Sequence, residues 1–139
     1  WDWFSLKLDN QRELMLYQLR QKDGGIDPFS SGSLVRPDGS HRHLEKKRFT
    51  IEATGRWTSE HTGIEYPSGW IVALPEQGVR LTVTPELLDQ ELHHLRSIDG
   101  SYWEGSVSIE GTWKGKPVQG RGYVELVGYG QPLKQELPE

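Results

Sequence analysis

The chain has 139 residues, of which 34% are hydrophobic, with 6 Trp, 5 Tyr, no Cys and a formal net charge of −4. That length suits one domain with a single core, and the large aromatics set the chain apart from disordered sequences of similar polarity. Disulfide scaffolds, zinc–thiolate sites and thiol nucleophiles are excluded, the lack of a basic excess argues against nucleic acid as a partner, and no stretch approaches the roughly 20 apolar residues of a membrane span.

Period-2 alternation runs through most of the chain and predicts strands. Residues 2–8 place Asp2, Phe4, Leu6 and Leu8 on one face. "DNQ" at 9–11 is turn chemistry, and residues 12–20 follow as a strand. A two- or four-residue turn over 9–12 puts Met15, Tyr17 and Leu19 on the face of Asp2, Phe4 and Leu6. "KDGG" ends that strand, and a loop with Pro28 leads to a short strand near 33–36. "RPDGSH" is a further turn before strands at 41–45 and 48–57. Within 42–48 lies the basic cluster of the chain; Glu45 interrupts it, and a solvated strand edge accounts for it. His41 and His43 have the i, i+2 spacing that points two side chains to one side of a strand. No third ligand is marked by spacing, so no metal site is expected.

"SEHTGIEYPSG" reads as a long loop or a broken strand, because Pro67 cannot donate to a ladder. Its His61 and Tyr66 are placed to border a barrel mouth. Residues 70–74 and 78–84 form a hairpin around "PEQG". "TPELLDQELHHL" at 84–95 combines a capping Thr84, Pro85 in the first turn and Leu88, Leu92 and Leu95 on one helical face, so a short helix competes with a strand there. His93 and His94 are adjacent, and on a strand would point apart. No Ser nucleophile elbow, phosphate loop or dinucleotide fingerprint is present.

"SYWEGSVSIEGTWKGKPVQGRGYVEL" at 101–126 is a hairpin around Lys114-Gly115, a type I′ pair. The register sets Trp103 opposite Leu126, Gly105 opposite Val124, Val107 opposite Gly122 and Ile109 opposite Gly120. Glycine faces a large residue at most of these positions, either to make room for bulky groups or to let the sheet coil tightly. The other face brings Glu104 directly opposite Glu125, with Tyr102 and Tyr123 nearby. A carboxylate pair there is either a solvated outer face or a site that shares a proton or meets a cation. The tail from 132 to 139 lies beyond a domain spanning 1–131.

About nine or ten short strands predict an antiparallel all-β barrel or sandwich. "WDWFSLKLDNQRELMLYQLR", "YPSGW" and "YWEGSVSIEG…GRGYVELVGY" together resemble the C-terminal lipocalin-like domain of the AttH and carotenoid 1,2-hydratase family. Members are often labelled "predicted secreted hydrolase" or hydroxyneurosporene synthase-like. The resemblance implies a lipocalin-like barrel of about eight to ten strands, the second of two such domains. It also implies a bacterial, secreted or periplasmic protein. The chain begins at Trp1 rather than Met, which accords with a fragment or processed product. The implied partners are an apolar small molecule and an N-terminal lipocalin-like domain, with no cofactor.

Three functions follow as expectations. The leading one is binding of an apolar or amphipathic small molecule, with Phe4, Met15, Tyr17, Trp70, Trp103, Tyr123 and Glu125 as candidate contacts. The second is cofactor-independent hydration of an isoprenoid-like alkene. That reaction needs an acid to protonate one carbon, aromatic faces to stabilise the cation and a route for water; Asp2, Tyr17 and Glu104 are the acid–base candidates. The third is a structural domain that packs on its neighbour. Lipocalin-like barrels pack an N-terminal Trp against an Arg of the last strands, so Trp3 or Trp1 against Arg121 is the expected closure.

Overall fold

A computed structural model describes residues 1–93 and 100–130. The chain adopts the expected all-β antiparallel lipocalin-like fold, as a curled half-barrel. Its strands are β1 (Asp2–Leu8), β2 (Glu13–Gln18), β3 (Ser31–Val35), β4 (His41–Glu45), β5 (Thr50–Ala53), β6 (Arg56–Thr58), β7 (Glu65–Pro67), β8 (Trp70–Leu74), β9 (Val79–Pro85), β10 (Glu91–Leu92), β11 (Tyr102–Trp113) and β12 (Lys116–Leu126). The main sheet runs β4-β3-β2-β1-β12-β11-β9-β8-β5, with β10 added to β11 and a separate β6–β7 pair. β4 and β5 are neighbours in sequence but lie at opposite ends of that order. The short 3-10 turn Lys46–Arg48 joins them, so the sheet must curl until its two ends approach.

Alternation builds the interior. Asp2, Phe4, Leu6 and Leu8 of β1 are all buried, while Lys7 between them is exposed. Phe4, Leu6, Leu16, Val72, Leu81, Val107 and Val124 are completely buried. Phe4 meets Trp70 edge-on at 5.4 Å between centroids, and Trp70 lies 6.3 Å from Trp103. The interior is therefore packed with side chains rather than left open. Trp113 is buried at the other end of the barrel, beneath the Arg12 guanidinium at 5.4 Å.

The 101–126 hairpin has the expected register, from Trp103 opposite Leu126 to Trp113 opposite Lys116. Lys114 and Gly115 both have positive φ (48° and 77°), the type I′ signature. The glycines serve strand approach. A Cβ on Gly120 would sit 1.9 Å from the Lys7 carbonyl oxygen, and one on Gly122 would sit 2.4 Å from that of Ser5. Tight coiling, not room for bulky side chains, is what these two positions require.

The first hairpin differs from expectation. Phe4 pairs with Leu16 and Ser5 with Met15. The Leu8 amide donates to the Arg12 carbonyl at 2.9 Å, and Gln11 is left-handed at φ 64°. This is a three-residue loop, and one residue of slip exchanges the faces of the whole strand. Leu14, Leu16 and Gln18 therefore share the inner face with Asp2, whereas Met15 and Tyr17 point outward with Trp3 and Ser5.

No helix forms over the described part of 84–95. β9 runs on to Pro85, which pairs with Val107. Beyond it, the Gln90 side chain accepts from the Ser106 amide at 2.9 Å and donates to the Ser106 carbonyl at 3.1 Å, standing in for backbone pairing. Leu88 and Leu92, which argued for an apolar helical face, are exposed. His94 and Leu95 fall outside the described residues, as does the tail.

Candidate functional site

Two of the surface openings are lined by candidate acid–base residues, Tyr17 in one and Asp2 in the other. The larger, about 1070 Å³, lies by the seam between β4 and β5 and is lined by Tyr17, Phe29 and Phe49 among others. It holds no buried acid. The smaller is a recess of about 240 Å³ at the barrel mouth, where Asp2 and Gln18 meet Ile51, Ala53, Trp70 and Tyr129. Chemistry concentrates in the smaller one.

Asp2 opens β1 on its inward face, so alternation sends its carboxyl toward the core, and only 6% of the residue remains exposed. A carboxylate so placed must be hydrogen-bonded. Arg20, just past β2, is in direct ion-pair contact with Asp2 Oδ1 and also donates to the Val127 carbonyl. Tyr129, just past β12, donates to the same Oδ1 at 2.8 Å. The Arg20 guanidinium lies 3.8 Å over the Tyr129 ring, a cation–π contact that holds both groups in place. Burial pushes the Asp2 carboxyl above its ordinary value; Arg20, the Tyr129 hydroxyl and the amino terminus pull the other way. Burial and the Asp2 charge push the Tyr129 phenol far upward, so it stays a donor.

A second polar cluster stands behind this recess. Glu91, on β10, is 9% exposed. It accepts hydrogen bonds from Ser59 Oγ at 2.6 Å, Thr62 Oγ1 at 2.7 Å and Tyr66 Oη at 2.8 Å. Ser59 Oγ itself accepts from the His61 and Thr62 amides, so its proton is committed to Glu91. Burial, then the bond to Glu91, push the Tyr66 phenol far upward. Tyr66 stacks on Trp57 at 6.1 Å and touches the Tyr129 ring at 5.8 Å. Glu91 thus fastens the β6–β7 arm, whose Arg56 and Pro67 form one wall of the recess. The half-exposed His61 faces Asp89 at 3.2 Å and stacks on His93 at 4.4 Å.

The candidates read from sequence are dispersed. Asp2 and Trp70 line the recess, with Phe4 and Trp103 packed directly behind. The Trp103 indole donates to the Leu88 carbonyl at 2.8 Å. Met15 and Tyr17 are on the outside of the barrel; Tyr17 accepts from Ser31 Oγ at 2.6 Å and borders the seam groove. Glu104 and Glu125 are opposite one another on the outer face, bonded to Tyr123 Oη at 3.3 Å and to the Trp1 indole at 2.7 Å respectively. Tyr123 is 41% exposed. These five positions lie on the face opposite to Asp2 and cannot form one pocket with it.

The expected closure by Trp3 or Trp1 against Arg121 does not form. Trp3 pairs with Tyr17 and Glu125, while Arg121 is highly exposed, opposite Lys7, and 3.8 Å from Glu86. Arg20 and Tyr129 perform the closure instead. They lie two and three residues past a strand end, where alternation carries no signal. Glu91 was hidden by the helix-like pattern around it. His41 and His43 are both exposed on β4, and among the described residues no group of three His, Asp or Glu side chains is placed to hold a metal ion.

A family model described as AttH-like matches residues 1–129. Among solved structures, one described as an AttH protein from Nitrosomonas europaea aligns with a TM-score of 0.80 at 34% identity, covering 94% of this chain and 39% of that one. Kievitone hydratase from Nectria haematococca aligns with a TM-score of 0.73 at 18% identity, covering 93% of this chain and 40% of that one. The chain thus spans well under half the length of either structure. No curated protein matches this sequence.

Proposed function

The chain belongs to the AttH-like family, and on that premise we propose that it is a lipocalin-like binding domain whose mouth recess holds the polar end of an otherwise apolar small molecule. One observation carries the reading: a buried carboxyl, Asp2, borders an opening walled by Trp70, Ile51 and Tyr129. Sites of this kind pair apolar walls with a few fixed polar groups. A recess of about 240 Å³ accommodates one end of a ligand rather than a whole one. The rest of the ligand is proposed to lie against a companion lipocalin-like domain.

Hydration of an alkene is the second reading, favoured by the raised Asp2 carboxyl. A protonated Asp2 would deliver its proton to one alkene carbon. The Trp70 face would stabilise the positive charge on the other carbon, and water would add there, returning a proton to Asp2. Kievitone hydratase shares the fold, and its name brings the reaction class into view; the assignment here rests on Asp2.

Titration of the full-length protein with a panel of isoprenoid alcohols and carotenoids tests both readings. Binding that Asp2→Asn weakens at least tenfold supports the recess. Binding untouched by Asp2→Asn, or none across the panel, overturns it and leaves a structural domain. Hydrated product from wild type but not from Asp2→Asn establishes the second reading.

A further inference from the structure

The seam groove differs in chemistry from the mouth recess. One wall is aromatic and aliphatic, with Phe29 84% exposed on the 21–30 loop, Ile26 37% exposed, and Tyr17 and Phe49 beside them; the opposite wall is polar and carries His43, Glu45, Lys46 and Lys47. So large an exposed apolar side chain over an open groove of about 1070 Å³ is an unusual expense unless something covers it. The volume matches that of sites for small organic molecules, roughly 300–1,000 Å³.

Lys46 supplies the polar end. It opens the 3-10 turn between β4 and β5, and its ammonium donates to the Phe49 carbonyl at 3.2 Å and lies 4.7 Å over the Phe49 ring. Among the described residues it has no carboxylate in ion-pair range: neighbouring Glu45 is taken by Lys47 at 3.1 Å, and Glu76 by Arg48. Desolvation alone lowers its affinity for a proton. The ammonium is thus partly buried with a carbonyl and a ring as its partners, and it has further N–H groups with which to make a charge-assisted bond to an anion.

We propose that the seam groove binds a free aliphatic carboxylate, with the head group on Lys46 and the chain against Phe29, Ile26 and Phe49. Charge complementarity selects an anion, and the apolar wall selects an alkyl chain over a small inorganic ion. The groove shares no lining residue with the mouth recess, so the two sites stand or fall separately.

Calorimetric titration of the full-length protein with dodecanoate and with dodecanol, both below their micellar concentrations, tests the proposal. Wild type should bind dodecanoate about tenfold or more tightly than dodecanol, the value of a hydrogen bond to a charged group. Lys46→Gln should abolish that preference, and Phe29→Ala, at an exposed position that does not endanger folding, should weaken both ligands alike. Equal binding of the two by wild type, a preference that survives Lys46→Gln, or no binding of either overturns the proposal. Association with phosphatidylglycerol vesicles without binding of free dodecanoate also overturns it, and would make the groove a membrane contact.

Discussion

The Tyr129 hydroxyl donates to the Asp2 carboxyl at 2.8 Å, tying the start of β1 to the segment that follows β12. With Arg20 in contact with both, one buried acid is held by the two ends of the sheet's central strands and by the end of β2. The same contacts close the barrel mouth and shape the recess.

Burial raises the Asp2 carboxyl above its ordinary 3.8, so near that pH the folded state retains a proton that the unfolded state has released. Stability contributed by Asp2 is therefore greatest at low pH and is lost as pH rises from 3.8 through the raised folded value. Asp2→Asn lacks this dependence. Urea denaturation of both proteins across that window should show wild type losing stability relative to Asp2→Asn as pH rises; the opposite slope would mean that Arg20 outweighs burial.

Glu91 satisfies three hydroxyls at once, on Ser59, Thr62 and Tyr66. Glu91→Ala leaves them without their acceptor in a buried site and should cost roughly 3 kcal/mol or more. Glu91→Gln should cost less, since its amide oxygen still accepts. Chemical denaturation measures both. Hydrogen exchange should report the loss first at the Ser59 amide, which donates to Ile64 within the arm at 2.9 Å.

Gly120→Ala and Gly122→Ala drive a methyl group into the β1 backbone and should destabilise by about 1–3 kcal/mol each. Gly115→Ala meets open space but strains a positive φ of 77°, and should cost about 1 kcal/mol. Thermal unfolding ranks the three variants.

Glu104 and Glu125 face each other on the outside, so Glu104→Gln should stabilise by about 0.2–1 kcal/mol at low salt and by less at high salt. Ligand binding at the recess should be unaffected. A loss of stability in the variant would show that the pair holds something in common.

The contrast between the two hairpins explains what was legible from sequence. Lys114-Gly115 announces its turn type, so the register of β11 and β12 follows to the last pair. Asp9-Asn10-Gln11 contains no glycine to mark its left-handed residue, and the three-residue loop it forms exchanges the faces of β2. That single slip moved Met15 and Tyr17 out of the interior and concealed Gln18 as the partner of Asp2. Asp2 itself stood out because alternation placed an acid on an apolar face. Arg20, Tyr129 and Glu91 gave no comparable signal, because they gather by curling of the sheet and not by local pattern.

Native mass spectrometry of the full-length protein purified from its host tests the recess most directly, with wild type compared to Ala53→Trp, which places an indole in the recess from an exposed position on its wall. The account predicts a small apolar molecule retained by wild type and lost from Ala53→Trp, with the fold of both intact. Retention of the same molecule by both proteins, or no molecule with wild type, would contradict it.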